Sequence, residues 1–292
     1  MTAPIRSLLF APANRPDLLA KLPRFPADCY VLDLEDGTPP EEKVRARELL
    51  AQTIPSLRSA GLPGLLTVRV NKPDSEHHLA DIEAALAADA DGLVLPKLEH
   101  AEQMISLANR LRQPDLAVNR QRFVIGGIES VRGVIHAVPV CGSAPELVAV
   151  YFGAEDFIAD IGGRRTRSGK EAFHARSQVI MAAKASGIQA IDQAVVDIRD
   201  EALFRDDSEQ GRDLGYDGKI CVAPRQAEWA NALFSPTVDE VHEAEQMLAA
   251  YDEALARGIG TIEFRGRMID PPLLQRARHV LALAASSKGA RA

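Results

Sequence analysis

Short apolar runs recur along the chain, and each gives way to a longer segment whose apolar residues return at helical spacing. Eight runs read as strands, at 5–11, 30–36, 65–71, 92–98, 123–129, 148–156, 188–196 and 219–224. Several are almost continuously apolar, the pattern of parallel strands covered on both faces. The intervening segments read as helices. Residues 40–51 open with Pro and acidic residues and turn basic, matching the helix dipole. Residues 75–88 begin with Ser75, which can cap a helix start, and 174–187 end on Gly187, a residue suited to a C-terminal cap. Eight such units in series predict a (β/α)8 TIM barrel with a C-terminal helical extension, against a doubly wound open sheet as the rival. The barrel is favoured because polar residues recur where strands end: Glu35 and Asp36, Arg69 and Asn71, Lys97, Glu129, Asp156. In a barrel those ends converge on one mouth.

The barrel is expected over residues 1–234. Residues 235–292 are expected to form a helix–hairpin–helix extension, packed on the barrel or on a neighbouring subunit. The hairpin is predicted by Arg265-Gly266 between two short apolar runs, and residues 286–292 are expected to fray.

Composition narrows the class. In 292 residues, 46% are hydrophobic and 26% charged, as in ordinary soluble domains, and a net charge of -7 argues against a nucleic-acid or membrane-surface binder. Cys29, Cys141 and Cys221 show no paired spacing and read as buried thiols of a reducing compartment. With no signal-peptide pattern at the start and no run long enough to span a bilayer, the expectation is a cytoplasmic protein.

The chemistry is expected at the strand ends. Glu129 and Asp156 each close an apolar run, and two carboxylates without a nearby His or Cys suit Mg²⁺. Each can equally cap the following helix or pair with an Arg. Arg69, with Asn71, faces the barrel interior if Val68 and Val70 face the helices; it can bind a carboxylate, stabilise an enolate, or pair with Glu35 or Asp36. The three acids of DLED at 33–36 can order their own loop or orient metal-bound waters. The GGRRTRSGK segment at 162–170 misses the spacing of a phosphate loop and reads as a basic, mobile loop over the mouth. The seven histidines show no ligand spacing.

Eight motifs in order resemble a known family: RSLLFAPANRP at 6–16, DLEDGTPPEEKVRAR at 33–47, VRVN at 68–71, GLVLPK at 92–97, IESVRG at 128–133, FGAEDFIADIG at 152–162, GYDGKICVAPRQ at 215–226 and GRMIDPP at 266–272. Together they cover nearly the whole chain and resemble the HpcH/HpaI aldolase and citrate lyase β-subunit family, in its CitE-like and malyl-CoA lyase branch. The resemblance implies a TIM barrel, homotrimeric or hexameric, that uses Mg²⁺ to make or break a carbon–carbon bond beside a CoA thioester, with a small 2-oxo acid as the other fragment. It implies Glu129 and Asp156 as metal ligands, with Glu129 also at the substrate, and Arg69 as the enolate-stabilising contact. Arg15 and Lys21 would hold the CoA moiety. Asp270 would act as the proton-transfer group in a neighbouring subunit's site, although by itself it reads as a cap for the helix near Pro271. Two positions depart from the family pattern: Ala223 stands where His precedes Pro, and Ala11-Pro12-Ala13 stands for Val-Pro-Gly. The first puts a polar contact near the thioester in question. The alternatives are a metal-dependent aldolase on free 2-oxo acids and a citrate lyase β-type subunit that uses an acyl carrier protein. The presence of Asp270 argues against the latter.

Overall fold

The computed structural model describes residues 4–113 and 122–289. Eight parallel strands close on themselves in chain order: β1 (Ser7–Pro12), β2 (Cys29–Asp33), β3 (Leu65–Arg69), β4 (Gly92–Leu95), β5 (Phe123–Ile128), β6 (Leu147–Phe152), β7 (Gln189–Asp192) and β8 (Gly218–Cys221), with β8 paired to β1. The predicted barrel is therefore the observed one. Every strand is shorter than its apolar run. In β2, β3 and β5 pairing stops at or just before the first polar residue of the mouth, and single ladder-like bonds carry on beyond, as from the Leu34 amide to the Arg69 carbonyl, 3.0 Å.

Around the barrel and beyond it lie α1 (Pro16–Leu19), α2 (Lys43–Ser59), α3 (His78–Ala87), α4 (Ala101–Leu111), α5 (Val131–Ile135), α6 (Ala137–Cys141), α7 (Ala154–Asp160), α8 (Lys170–Ala185), α9 (Glu201–Leu214), α10 (Pro224–Leu233), α11 (Val238–Leu255) and α12 (Pro271–Gly289). The expected helix at 40 begins as a single 3-10 turn, Pro40–Glu42, before α2. Ser75 accepts a bond from the His77 amide at 3.2 Å, so it shapes the approach to α3 rather than capping it. Gly187 follows α8 with φ +69°, the left-handed conformation its position predicts.

Alternate residues of the strands fill the barrel: Leu8, Cys29, Val31, Val94, Ile125, Ala149, Tyr151, Ile191 and Ile220 form one buried cluster, with Phe10 packed on it. One outward residue of each of β7 and β8 is charged, Asp192 and Lys219. Arg176 on α8 meets both carboxylate oxygens of Asp192 at 3.0 and 2.6 Å, and Lys219 bridges Asp192 at 3.1 Å and Asp207 on α9 at 2.5 Å. All but Asp207 are wholly buried, so the balance of two cations and two carboxylates is what makes the site tolerable. The three cysteines are free and buried, and burial pushes the Cys29 and Cys141 thiols up to about 12.

Residues from Leu233 onward form a second compact unit. Thr237 and Glu240 cap α11 reciprocally. The predicted hairpin is present, β9 (Ile262–Phe264) antiparallel to β10 (Arg267–Ile269), and both turn residues, Arg265 and Gly266, have positive φ (+52° and +76°) as a two-residue hairpin requires. Met247, Tyr251, Ile269 and Leu274 are the buried heart of this unit. The helix at its end runs through Gly289, further than the expected fraying from 286, and residues 290–292 lie outside the described residues. Among the described residues, no helix is long and apolar enough to cross a membrane.

Candidate active site

The C-terminal ends of β2 to β6 bring a dense set of charges to one side of the barrel mouth. Asp33, the last residue of β2, stands in register with Arg69, the last of β3. The Arg69 guanidinium donates to both Asp33 oxygens, Nε to Oδ1 at 2.7 Å and a terminal nitrogen to Oδ2 at 2.6 Å. Its other terminal nitrogen lies 3.0 Å from Glu35 Oε2. The same Asp33 oxygens accept the Glu35 and Gly37 amides at 2.9 and 2.8 Å, so one side chain both orders the acidic loop and aims the arginine. Burial alone would lower the Arg69 pKa, but the Asp33 charge outweighs it and holds the group firmly protonated. Phe10 lies beneath the guanidinium, 5.0 Å from ring centre to Cζ.

Lys97 follows β4 in the left-handed region, φ +53°, and turns its ammonium onto Glu35 at 2.8 Å and Asp36 at 3.0 Å, with Asp156 at 3.8 Å. The expected Arg69–Asp36 alternative is therefore not formed: Arg69 takes Asp33 and Glu35, and Asp36 belongs to Lys97.

Glu129 sits one residue past β5 and is almost completely buried. Its Oε1 accepts the Tyr151 hydroxyl and faces the Lys97 amide at 3.4 Å. Burial pushes its carboxyl up to about 7; the Arg69 charge and the tyrosine bond oppose the rise, while Glu35 and Asp156 add to it. The tyrosine hydroxyl is itself driven well above its ordinary value by burial and by Glu129, so it remains a donor. Asp156 occupies the first turn of α7, about half exposed, at the positive end of that short helix.

These residues fit a hard divalent cation. Glu129 is a carboxylate whose ionised form is penalised by burial, a penalty that a cation would offset. Glu35 contributes a buried Oε2 that lacks a hydrogen-bond partner, its arginine neighbour being close but out of hydrogen-bonding geometry. Among the described residues no set of three or more His, Cys, Asp or Glu side chains gathers as a closed metal cage. One or two carboxylates with remaining places for water and substrate are what Mg²⁺ accepts, and what structural zinc does not.

Of the residues singled out from sequence, Arg69, Glu129 and Asp156 come to this one region. Arg15 and Lys21 lie on the surface segment after β1, Arg15 paired with Asp17 at 2.8 Å. Asp270 lies in the second unit between β10 and α12; its backbone carbonyl accepts the Leu273 and Leu274 amides, and among the described residues its carboxylate makes no cap. Asn71 is a correction. It points away from the barrel interior, donating to Asp81 of α3 at 2.6 Å and to the Leu34 carbonyl, and accepting Lys43 of α2. Strand alternation ends with Arg69, so the parity argument no longer reaches residue 71. In the basic segment at 162–170 two of the four basic residues are matched locally: Arg165 pairs with Glu155 and Glu171, and Arg167 with Asp200. Tyr151 and the anchoring role of Asp33 were not anticipated. The available signal was that Tyr151 shares the inward parity of Ala149 on β6.

A family model described as HpcH/HpaI aldolase/citrate lyase matches residues 6–224. The chain belongs to that family. It is a carbon–carbon lyase, as the family is. Within the HpcH/HpaI family it is 40% identical over 287 residues to the citrate lyase subunit beta-like protein of Deinococcus radiodurans, covering 97% of this chain and 99% of that one. It is 33% identical to the mitochondrial citramalyl-CoA lyase of Mus musculus, covering 98% and 87%. Among solved structures it is similar to the Mycobacterium tuberculosis protein CitE in complex with magnesium, acetoacetate and coenzyme A, with a TM-score of 0.80, 30% identity, and 97% and 99% coverage.

Proposed function

We propose that this chain is a Mg²⁺-dependent lyase that cleaves a 3-hydroxyacyl-CoA thioester of the malyl-CoA or citramalyl-CoA type into acetyl- or propionyl-CoA and a 2-oxo acid, or runs the reverse condensation with or without thioester hydrolysis. The single observation that carries this reading is the buried Glu129 carboxylate set beside Arg69, with Asp156 at the same mouth. The mycobacterial relative that binds magnesium, acetoacetate and coenzyme A supports the choice of cofactor and substrate class.

Glu129 and Asp156 would hold the ion, which when bound polarises the oxygens of the oxo-acid portion. Arg69 then does what its geometry allows. Pinned by Asp33, its guanidinium is preorganised and cannot collapse onto a substrate carboxylate by swinging free; it presents fixed positive charge to the thioester oxygen as negative charge develops there. In the cleavage direction the hydroxyl loses its proton to a base, the carbon–carbon bond breaks, and its electron pair passes to the thioester carbon framework as an enolate. Protonation of the enolate carbon completes the acyl-CoA. Asp270, supplied by a neighbouring copy in a homotrimer or hexamer, is the group we assign to that proton transfer. Arg15 and Lys21 are assigned to the CoA phosphates.

A second reading, a citrate lyase β-type subunit working on an acyl carrier protein, is favoured by Ala223, which removes an imidazole from the end of β8. The test separates the two. The purified chain alone is incubated with a panel of CoA thioesters, with Mg²⁺ or with EDTA, and products are read by mass spectrometry. Mg²⁺-dependent cleavage of a free CoA ester supports the first reading. Cleavage only of carrier-bound esters supports the second. Full activity of Glu129→Ala or Asp156→Ala in EDTA refutes the metal assignment.

A further inference from the structure

We propose that Tyr151 is a positioning residue for the metal ligand Glu129: its hydroxyl occupies one carboxylate oxygen, so that Glu129 offers a divalent cation a single oxygen. The inference rests on the metal centre proposed above. The tyrosine hydroxyl donates to Glu129 Oε1, and the Lys97 amide lies 3.4 Å from the same atom. Among the described residues no donor meets Oε2. One oxygen is thus engaged by the protein and the other is left for a ligand.

The ring that carries the hydroxyl is confined on both sides. Tyr151 on β6 is the register partner of Gly127 on β5. A Cβ at Gly127 would overlap both the Tyr151 hydroxyl and Glu129 Oε1, so the tyrosine fits only because its partner has no side chain. Phe10 meets the ring edge-on, with centroids 6.1 Å apart and planes at 78°. A second glycine completes the slot: a Cβ at Gly153 would lie 2.6 Å from Glu129 Cγ. Backbone therefore flanks Glu129 both from its own strand, at Gly127, and from the end of neighbouring β6, at Gly153, and the carboxylate has little room to rotate.

The consequence is selectivity. Ca²⁺ takes six to eight oxygens and accepts carboxylates through both of theirs, whereas Mg²⁺ demands octahedral geometry and takes carboxylates singly. A carboxylate with one oxygen committed favours the smaller ion, and a neighbour that orients a ligand in this way typically governs affinity by about 10- to 100-fold.

The test is isothermal titration of the full chain with MgCl₂ and with CaCl₂, without substrate, for wild type, Tyr151→Phe and Glu129→Gln, with folding checked by circular dichroism and thermal unfolding. The expected result for Tyr151→Phe is a loss of Mg²⁺ affinity of about tenfold and a smaller loss for Ca²⁺, so that the Mg²⁺ preference narrows. A folded variant with both affinities within about twofold of wild type overturns the proposal, as does an equal loss for both ions, which general loosening would give. If Tyr151→Phe does not fold, difference infrared spectra of the wild type on adding Mg²⁺ decide: the splitting of the carboxylate stretches widens for one-oxygen binding, and a narrowing overturns the proposal. Wild type that binds no Mg²⁺, or Glu129→Gln that binds it equally well, sinks the metal centre itself and is a separate outcome.

Discussion

Asp33 and Arg69, the last residues of adjacent strands and partners in register, meet through two parallel hydrogen bonds of 2.7 and 2.6 Å at the barrel mouth. The planar fork of the guanidinium matches the carboxylate, a fit lysine cannot reproduce. Arg69→Lys is expected to lower kcat by about 10²- to 10³-fold while moving KM little, because the lost contact is one made to developing charge. Asp33→Asn is expected to cost about 3 kcal/mol of stability, since it leaves a buried cation short of its partner. Steady-state kinetics and urea denaturation check the two effects.

Gly153→Ala should act on Glu129 without changing the chemistry of any polar group. The new methyl would press on Glu129 Cγ, and the main-chain bond from the Gly153 amide to the Ile128 carbonyl, 3.0 Å, leaves the backbone little freedom to retreat. The expected outcome is a stability loss of about 1–3 kcal/mol together with weaker Mg²⁺ binding. Thermal unfolding and calorimetry measure both; an unchanged Mg²⁺ affinity would show that the ligand is free to relax.

The ion cluster behind β7 and β8 predicts acid sensitivity. Burial would raise the Asp207 pKa, but Lys219 and Arg176 outweigh it, and the group lies below the ordinary carboxylate range. Its folded pKa is thus lower than its unfolded value of about 3.9. The stabilisation is fully present above that unfolded value and is lost as pH falls through the folded one, because the unfolded chain binds the proton first. The urea midpoint should therefore drop between about pH 5 and pH 3. In Asp207→Asn the midpoint at pH 7 should already be lower and its further fall on acidification smaller.

Asp270→Asn should slow turnover far more than it weakens Mg²⁺ binding if the carboxylate transfers a proton. Single-turnover kinetics and metal titration of the same preparation compare the two. Equal losses would remove Asp270 from that role and leave it as a residue of the turn into α12.

The barrel was legible because its signals are local. Apolar runs of strand length, a glycine after α8 and the Arg265-Gly266 turn each depend on a few neighbouring residues, and each appears where expected. Glu129 and Arg69 were legible as strand-end residues for a related reason: in a closed parallel sheet all such ends face one mouth, whatever the register; Asp156, expected to close a strand, instead sits in the first turn of α7, after β6 has ended at Phe152. Which partner each side chain takes was legible only in part: the Arg69–Glu35 pair was among those expected and is formed, but the Asp33 anchor was not foreseen. Arg69 bonds Asp33 rather than Asp36 because β2 and β3 are in register at those two residues and Lys97 claims Asp36. Asn71 turns out to the helices because alternation ends with the strand.

The sequence by itself determined the order and number of the elements and the types of residue delivered to the mouth, since periodicity and turn chemistry act within a few residues. Only the tertiary structure decided that Tyr151 reaches Glu129 through the space left by Gly127, for those contacts come from the pairing of β5 with β6, and register between strands is set by the packing of the whole barrel.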